Sequence, residues 1–308
     1  LVERIGIDGI LKHEIGENKK ITFELPIPTH KEAIELVLRI LTNDETKVIN
    51  SIDEIKAIGH RVVHCGEYFK GSAIVDDEVI RKIEELIPLA PLHNPANILG
   101  VKICKDLMPK VPNVVTFDTA FHQTMPMENF LYAVPYADYT EHHLRKYGFH
   151  GTSHYYVSQE AIKLLNKKDS KVIVCHLGNG SSVCAVKDGK SISTSMGLTP
   201  LEGLVMGTRS GDIDAGVIPY LMEKKGLNHI QILDYLNKKS GILGVSGVSS
   251  DLREVIKAAN DGDKRSKIAI TMLCDRIKKY LCSYAGLMHG VDAICFTAGI
   301  GENSDLIR

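Results

Sequence analysis

Residues 172 to 186 read VIVCHLGNGSSVCAV, two apolar, β-branched runs on either side of a Leu-Gly-Asn-Gly-Ser-Ser turn. Such a pattern demands strand, turn and strand, and Asn-Gly is a strong hairpin signal because Asn179 and Gly180 both tolerate positive φ. Read plainly, the turn only reverses the chain. Read chemically, a glycine-rich turn with small hydroxyl neighbours leaves backbone N–H groups bare, and such a nest binds anions, phosphates above all. One loop does not decide between the two.

The chain of 308 residues is long enough for one large domain or two ordinary ones. Apolar residues make up 44% and charged residues 24%, as in globular proteins, and the formal net charge is −1. No global basic field invites nucleic acid or an anionic membrane, so any anion site must be local. The seven cysteines show no CxxC or paired spacing, and most sit in apolar runs such as VIVCHL and AICFTA. Free Cys behaves there as a small hydrophobe, which fits a reducing cytoplasm. No apolar run reaches membrane-spanning length, and the first residues carry charge too early for a signal-peptide core. The chain opens without an initiator Met and stops after GENSDLIR. It reads as a fragment.

Helical and strand patterns alternate throughout, which predicts an α/β fold. Thr29 and Glu32 form a capping box ahead of KEAIELVLRIL. KAIGHRVVH (56 to 64) reads as a strand, EVIRKIEELI as a helix ending at Pro88, and Asn94-Pro95 as the cap and opening of NPANILGVKICKDL. NVVTF (113 to 117) is a buried strand with Asp118 just past its end. A helix over 154 to 166 precedes the glycine hairpin, and Asp188-Gly189 turns into a third strand, KSISTS. A long amphipathic helix covers about 264 to 287. The strand DAICFT then leads into a second glycine loop, AGIGENS, with a helix expected from Asn303 or Ser304.

That second loop changes the odds for the first. A strand running into Gly299-Ile300-Gly301 and then a helix resembles the arrangement whose amides attract nucleotide phosphates. It is neither a Rossmann fingerprint nor a GxxxxGK[ST] loop. Two such loops at strand ends nevertheless favour a phosphate-handling site. Arg61 lies on a strand with Val63 on the same face, and Arg209 sits in the glycine-rich loop MGTRSGDIDAG. Each could equally be a solvated surface arginine. Asp212 and Asp214 read as turn and N-cap residues. His150 and His154, four apart in GFHGTSH, have a spacing that could bind zinc on a helix. Gly151 is expected to break the helix there, and no HExxH pattern follows. His13, His142 and His143 read as surface histidines, and His93 as a neighbour of the Asn94 cap.

The segments HRVVHCGE, LAPLHNPANI, TFDTAFHQTMP, YGFHGTSH, CHLGNGSS, TPLEGLVMGTRSGDID and FTAGIGENS occur in this order and spacing. Together they closely resemble the acetate kinase family, a branch of the acetate and sugar kinase/Hsp70/actin superfamily. The resemblance implies two actin-like (ribonuclease H-like) domains with a nucleotide cleft between them, here 1–120 and 121–308. It implies reversible transfer of the ATP γ-phosphoryl to acetate, giving acetyl phosphate and ADP. Through a loose transition state, catalysis would be chiefly positioning and charge stabilisation.

By the same resemblance, Arg61 binds the substrate carboxylate, Arg209 and His150 stabilise the transferring phosphoryl, and Asp118 is the active-site aspartate. Val63, Leu92, His93, Phe149 and Pro200 line the substrate pocket. His176, Leu177, Gly178, Asn179 and Gly180 form the phosphate-contacting hairpin. Gly299, Ile300, Gly301, Glu302 and Asn303 form the second nucleotide loop, and Asp251, Leu252 and Arg253 hold adenine and ribose. Two positions depart from the family pattern, Leu252 for Phe and Cys65-Gly66 for two glycines, without loss of charge. The family also has a first phosphate loop, with an Asn and a Lys, and a late glutamate near Mg²⁺ (or Mn²⁺). Neither segment is among these residues, so no metal ligand is assigned. A homodimer built through the C-terminal domain, with no nucleic-acid or membrane partner, completes the expectation. Propionate or another short-chain acid as substrate, a non-catalytic nucleotide-binding fragment, and a metallohydrolase using His150 and His154 are the alternatives.

Overall fold

A computed structural model describes residues 1–16, 19–91 and 93–308, so Leu92 lies outside the described residues. The chain divides into two compact units, Leu1–Phe117 and Asp118–Arg308.

In the first unit, β1 (Val2–Glu3), β2 (Ile10–Ile15) and β3 (Lys19–Glu24) form an antiparallel sheet. It packs Leu11 and Phe23 against Ala33, Leu36, Val37 and Ile40, one stripe of α1 (His30–Thr42). Thr29 is the N-cap residue, yet its hydroxyl bonds the Glu32 carboxylate and caps no backbone amide, so only part of the expected box forms. The second sheet has the order β4 (Ile58–Val62), β6 (Asn113–Phe117), β5 (Ala73–Ile74), with β4 parallel to β6. Alternate residues Asn113, Val115 and Phe117 are buried, and the Phe117 ring stacks on Phe69 at 4.8 Å. Helices α2 (Asp77–Glu85) and α3 (Asn94–Leu107) complete the unit, α2 capped by Asp76, which accepts from Val79 N at 2.7 Å. Asn94 does not cap α3. Wholly buried, it accepts from His64 N and donates to the carbonyls of His64 and Ile83, tying the end of β4 to two helices.

The second unit opens with short helices α4 (Met127–Phe130) and α5 (Tyr136–His142), then α6 (Gly151–Leu165). Its sheet has the order β10-β7-β8-β9, where β7 is Lys171–Leu177, β8 Ser181–Lys187, β9 Lys190–Thr194 and β10 Ala293–Thr297. One face of β7 and β8 (Val172, Val174, Cys184, Val186) meets Ala161 of α6. The other (Ile173, Cys175, Leu177, Val183, Ala185) meets Leu273 and Ile277 of α11 (Lys264–Leu287). Burial on both faces is why these strands are continuously apolar. Burial also drives the Cys175 and Cys184 thiols up to about 12, so both are inert.

The two turns of this sheet divide the expected chemistry differently. Asp188 and Gly189 take positive φ (52° and 76°) in a two-residue hairpin between Lys187 and Lys190. Asn179 and Gly180 do not: Leu177 pairs with Ser181 across a three-residue loop, and no residue of it has positive φ. The hairpin is real, but its geometry is not the one Asn-Gly predicts.

The remaining helices are α7 (Val217–Lys225), α8 (His229–Lys238), α9 (Gly241–Ser246), α10 (Leu252–Asn260) and α12 (Ala298–Asn303). Two corrections follow. Gly151 opens α6 and does not break it, with His150 as an N-cap in the left-handed region. The second glycine loop is itself helical: α12 starts at Ala298, five residues before the expected Asn303, and ends where that helix was expected to begin. Ala298 holds φ +63°, a costly conformation for a residue with a Cβ. Glu302 secures it by accepting from Ala298 N at 3.0 Å and Thr297 Oγ1 at 3.1 Å.

Candidate active site

Parallel pairing of β10 with β7, in register Thr297 to His176, brings both glycine turns to one end of the sheet. In open α/β sheets that end is where ligands bind. A pocket of about 950 Å³ lies there, walled by Gly178 and Asn179, by Asp251, Leu252 and Arg253, and by Gly299, Ile300 and Asn303. Eight of the residues expected to hold nucleotide thus meet in one cavity. Sequence reasoning missed Ser250, Ile256, Ser304, Asp305 and Leu306 in the same wall. Ser304 ends the AGIGENS loop; no quoted motif marks the other four, which the fold around α10 and α12 brings in. His176, Leu177, Gly180, Gly301 and Glu302 do not line it: Leu177 and Gly301 are buried, and Glu302 faces its own turn.

Asp251 is the N-cap of α10, accepting from Arg253 N at 2.9 Å, while its side chain pairs with that of Arg253. The Arg253 guanidinium and amide hold the Asp251 carboxyl down at about 2. Leu252 turns into the core beneath them.

Next to the hairpin stand the charged and histidine side chains. A Cβ placed on Gly180 would lie 3.4 Å from Arg209 Nη1 and 3.8 Å from His150 Nε2, so hairpin, arginine and histidine converge. Arg209 is half-buried, and burial pulls its pKa below the ordinary value. It stays a cation regardless. Its Nη1 donates to Pro200 O at 3.1 Å, and among the described residues it forms no ion pair. A half-buried cation without a counter-charge is an anion site in waiting.

The loop carrying Arg209 is braced from several sides. Asn179 O accepts from Gly207 N at 3.0 Å, and a Cβ on Gly207 would strike Asn179 Oδ1 at 1.7 Å. Asp212 is more than a turn residue: it accepts from Gly203 N at 2.8 Å and Tyr280 Oη at 2.9 Å, and pairs with Arg276 at 3.2 Å. Asp214 is a turn residue, accepting from Gly216 N at 2.7 Å, and not the expected N-cap, which for α7 is Gly216.

His150 Nδ1 and His154 Nε2 both reach Ser182 Oγ, and the His150 ring stacks on His176 at 4.1 Å. His176 Nδ1 meets Ser153 Oγ at 2.8 Å. Burial, then neighbouring histidines, keeps His154 far below the usual imidazole range. Among the described residues no three His, Cys, Asp or Glu side chains group to hold a metal ion, and the zinc reading of His150 and His154 has no third ligand. Asp118 is buried, and its carbonyl accepts from Gly151 N at 2.8 Å; a Cβ on Gly151 would stand 2.2 Å from that oxygen. Only glycine lets the His150 turn come so close. Phe149 is buried, its carbonyl accepting from His122.

Of the first unit's expected site residues, Arg61 is exposed near the end of β4, paired in register with Thr116. Val63 lies one residue past the strand, its amide donating to Asn97 Oδ1 at 3.1 Å, and His93 is the N-cap residue of α3.

A parallel strand pair ending in glycine turns, a pocket of about 950 Å³ beside them and a half-buried arginine fit a phosphotransferase of the actin-like α/β class. The chain belongs to the acetokinase family, whose model matches residues 1–308. Members of that family are ATP:acetate phosphotransferases. The acetate kinase of Treponema denticola is 56% identical over 311 residues, covering 100% of this chain and 78% of the relative. The acetate kinase of Caldicellulosiruptor bescii is 56% identical over 310 residues, with the same coverage. Among solved structures, Porphyromonas gingivalis acetate kinase superposes with a TM-score of 0.94 at 49% identity, covering 100% of this chain and 78% of that one. A propionate kinase from Francisella tularensis gives 0.92 at 45% identity, again with 100% and 78% coverage.

Proposed function

We propose that this chain transfers the γ-phosphoryl of ATP to acetate, reversibly, as two actin-like domains over 1–120 and 121–308. A carboxylate oxygen attacks phosphorus, the bond to the β–γ bridging oxygen breaks, and ADP leaves with that electron pair. No proton moves, because the nucleophile is already ionised at neutral pH. In this reading Arg61 fixes the carboxylate, Arg209 and His150 take the charge of the transferring phosphoryl, and Asp118 orders the site around them. The observation that carries the reading is Arg209: a half-buried cation that forms no ion pair among the described residues, beside a glycine hairpin and a pocket of nucleotide size.

The described residues build no metal cage of their own, so Mg²⁺ (or Mn²⁺) is proposed as the counter-ion of ATP and no step is routed through it. A homodimer formed through the second unit belongs to the same proposal, supported by exposed Tyr220, Ile230 and Leu233 on α7 and α8. Light scattering tests it. Among the described residues no helix is long and apolar enough to cross a membrane. A cytoplasmic location belongs to the same proposal, supported by buried free thiols such as Cys175 and Cys184.

Trapping acyl phosphate as hydroxamate, with ATP, Mg²⁺ and acetate, is the direct test; ATP hydrolysis without acyl phosphate would overturn the reading. The similarity to a propionate kinase keeps that acid in the comparison. Val63, His93, Phe149 and Pro200, with Leu92, are proposed to meet the alkyl end of the acid. A methylene in such a pocket is worth about 1–3 kcal/mol, so propionate is expected to be used less well but not excluded. Val63→Ala is expected to raise the propionate-to-acetate ratio of kcat/KM. An unchanged ratio would remove Val63 from the pocket.

A further inference from the structure

The Ser182 hydroxyl, near the start of β8, lies 2.8 Å from His150 Nδ1 and 2.7 Å from His154 Nε2. One hydroxyl hydrogen serves one ring nitrogen, so Ser182 donates to one histidine and accepts from the other. The two tautomers are therefore linked, and His154 sets the direction. Its ring is fully buried, and burial together with His122, His150 and His176 keeps it neutral. A neutral imidazole carries one N–H. On Nδ1 that hydrogen would be buried with no acceptor, since Nδ1 has no hydrogen-bond partner among the described residues. Buried orphan donors are rarer than bare acceptors. On Nε2 the hydrogen meets Ser182 Oγ.

The chain of donors then runs one way. His154 Nε2–H donates to Ser182, and Ser182 O–H donates to His150 Nδ1. Neutral His150 is left with its hydrogen on Nε2, the nitrogen lying 3.8 Å from where a Cβ on Gly180 would stand, on the side of Arg209. We propose that Ser182 and His154 are positioning residues that hold His150 as the Nε2–H tautomer, so that it offers a hydrogen bond to the phosphoryl group. The phosphoryl part rests on the kinase reading; the tautomer does not. A neutral donor also suits a place beside the Arg209 cation, where a second positive charge would be repelled. His176 does not compete for His150 Nδ1 through its own Nδ1, which is engaged with Ser153.

Ring tautomers are read directly from long-range ¹H–¹⁵N spectra of ¹⁵N-histidine-labelled protein, with His150 assigned by its loss in His150→Gln. The wild type is expected to show His150 protonated on Nε2 without any ligand. Ser182→Ala, a small change at a buried site, is expected to give mixed tautomers and about a tenfold loss of kcat, with KM for ATP and acetate unchanged. His154→Gln keeps an amide donor for Ser182, so tautomer and kcat are expected to survive. A wild-type His150 protonated on Nδ1 overturns the proposal. So does a Ser182→Ala variant with tautomer or kcat unaltered, or a His154→Gln variant as impaired as Ser182→Ala. Because the spectra need no substrate, absence of acyl phosphate formation would remove the kinase reading and leave the tautomer standing. A wrong tautomer in an active kinase would remove the relay alone.

Discussion

Arg209→Ala is expected to lower the rate of acyl phosphate formation by several orders of magnitude while leaving the urea unfolding midpoint near that of the wild type. The two halves of that expectation have separate causes. The guanidinium is held between Pro200 O and the glycine hairpin, half-buried and without an ion pair among the described residues. Charge developing on a phosphoryl group therefore meets a donor already oriented and partly desolvated. Removing one such preorganised donor costs about 3 kcal/mol or more in the transition state. In the free protein the same cation carries a desolvation penalty with little to offset it, so its loss need not destabilise the fold. Arg209→Lys is expected to recover little, because an ammonium lacks the planar fork that matches phosphate oxygens. A variant turning over near the wild-type rate would take Arg209 out of the site. Arg61→Ala tests the carboxylate partner by the same assay, with the larger share of its loss expected in the acetate concentration dependence.

How much of this was legible before the fold was known depends on whether a signal is local. The strands around residue 180, the buried run 113–117 and the helix 264–287 all follow from apolar periodicity, which side-chain burial enforces directly. The residues expected to hold nucleotide were legible through motifs, and eight of those thirteen line one cavity. What was not legible depends on partners distant in sequence. Asn94 looks like a cap, yet the backbone of His64, 30 residues away, takes its side chain instead. Asp212 looks like a turn residue until Tyr280 and Arg276 of α11 reach it. Gly151 looks like a helix breaker because the cost of glycine is averaged over helix interiors. At a helix start its missing Cβ matters more, since the Asp118 carbonyl occupies that space. Ser182 was read only as a small hydroxyl neighbour of the glycine turn, with nothing to link it to a histidine. Its role exists only because α6 sets two histidine rings against the same oxygen.

Mild acid is expected to unfold the protein well above the range in which carboxylates titrate. Burial holds His64, in the first unit, and His122, in the second, down at about 4, and His154 lies well below the ordinary value. In the unfolded chain all three return to about 6.5. The sign follows from these depressed values. Above pH 6.5 neither state binds the protons and stability is full. As the pH falls below 6.5 the unfolded chain takes up protons that the folded chain refuses, so stability declines until His64 and His122 titrate in the folded chain near 4, and His154 refuses its proton throughout the fall from 6.5. Each group contributes a slope approaching about 1.4 kcal/mol per pH unit in that window. For domains stabilised by roughly 5–15 kcal/mol, three such groups are a large fraction of the total. Carboxylates held low by their partners, such as Asp263 and Asp292, act only below about pH 4, so the two effects separate on the pH axis. Urea midpoints measured from pH 7 to 4.5 should fall steadily, with net proton uptake on unfolding. His122→Gln should reduce the slope whatever it does to stability at pH 7, because a neutral amide cannot take up the proton in either state. A midpoint that stays flat between pH 7 and 5 would mean these histidines take up protons in the folded chain as readily as in the unfolded one, and the burial argument for His154 as a neutral donor to Ser182 would fall with it.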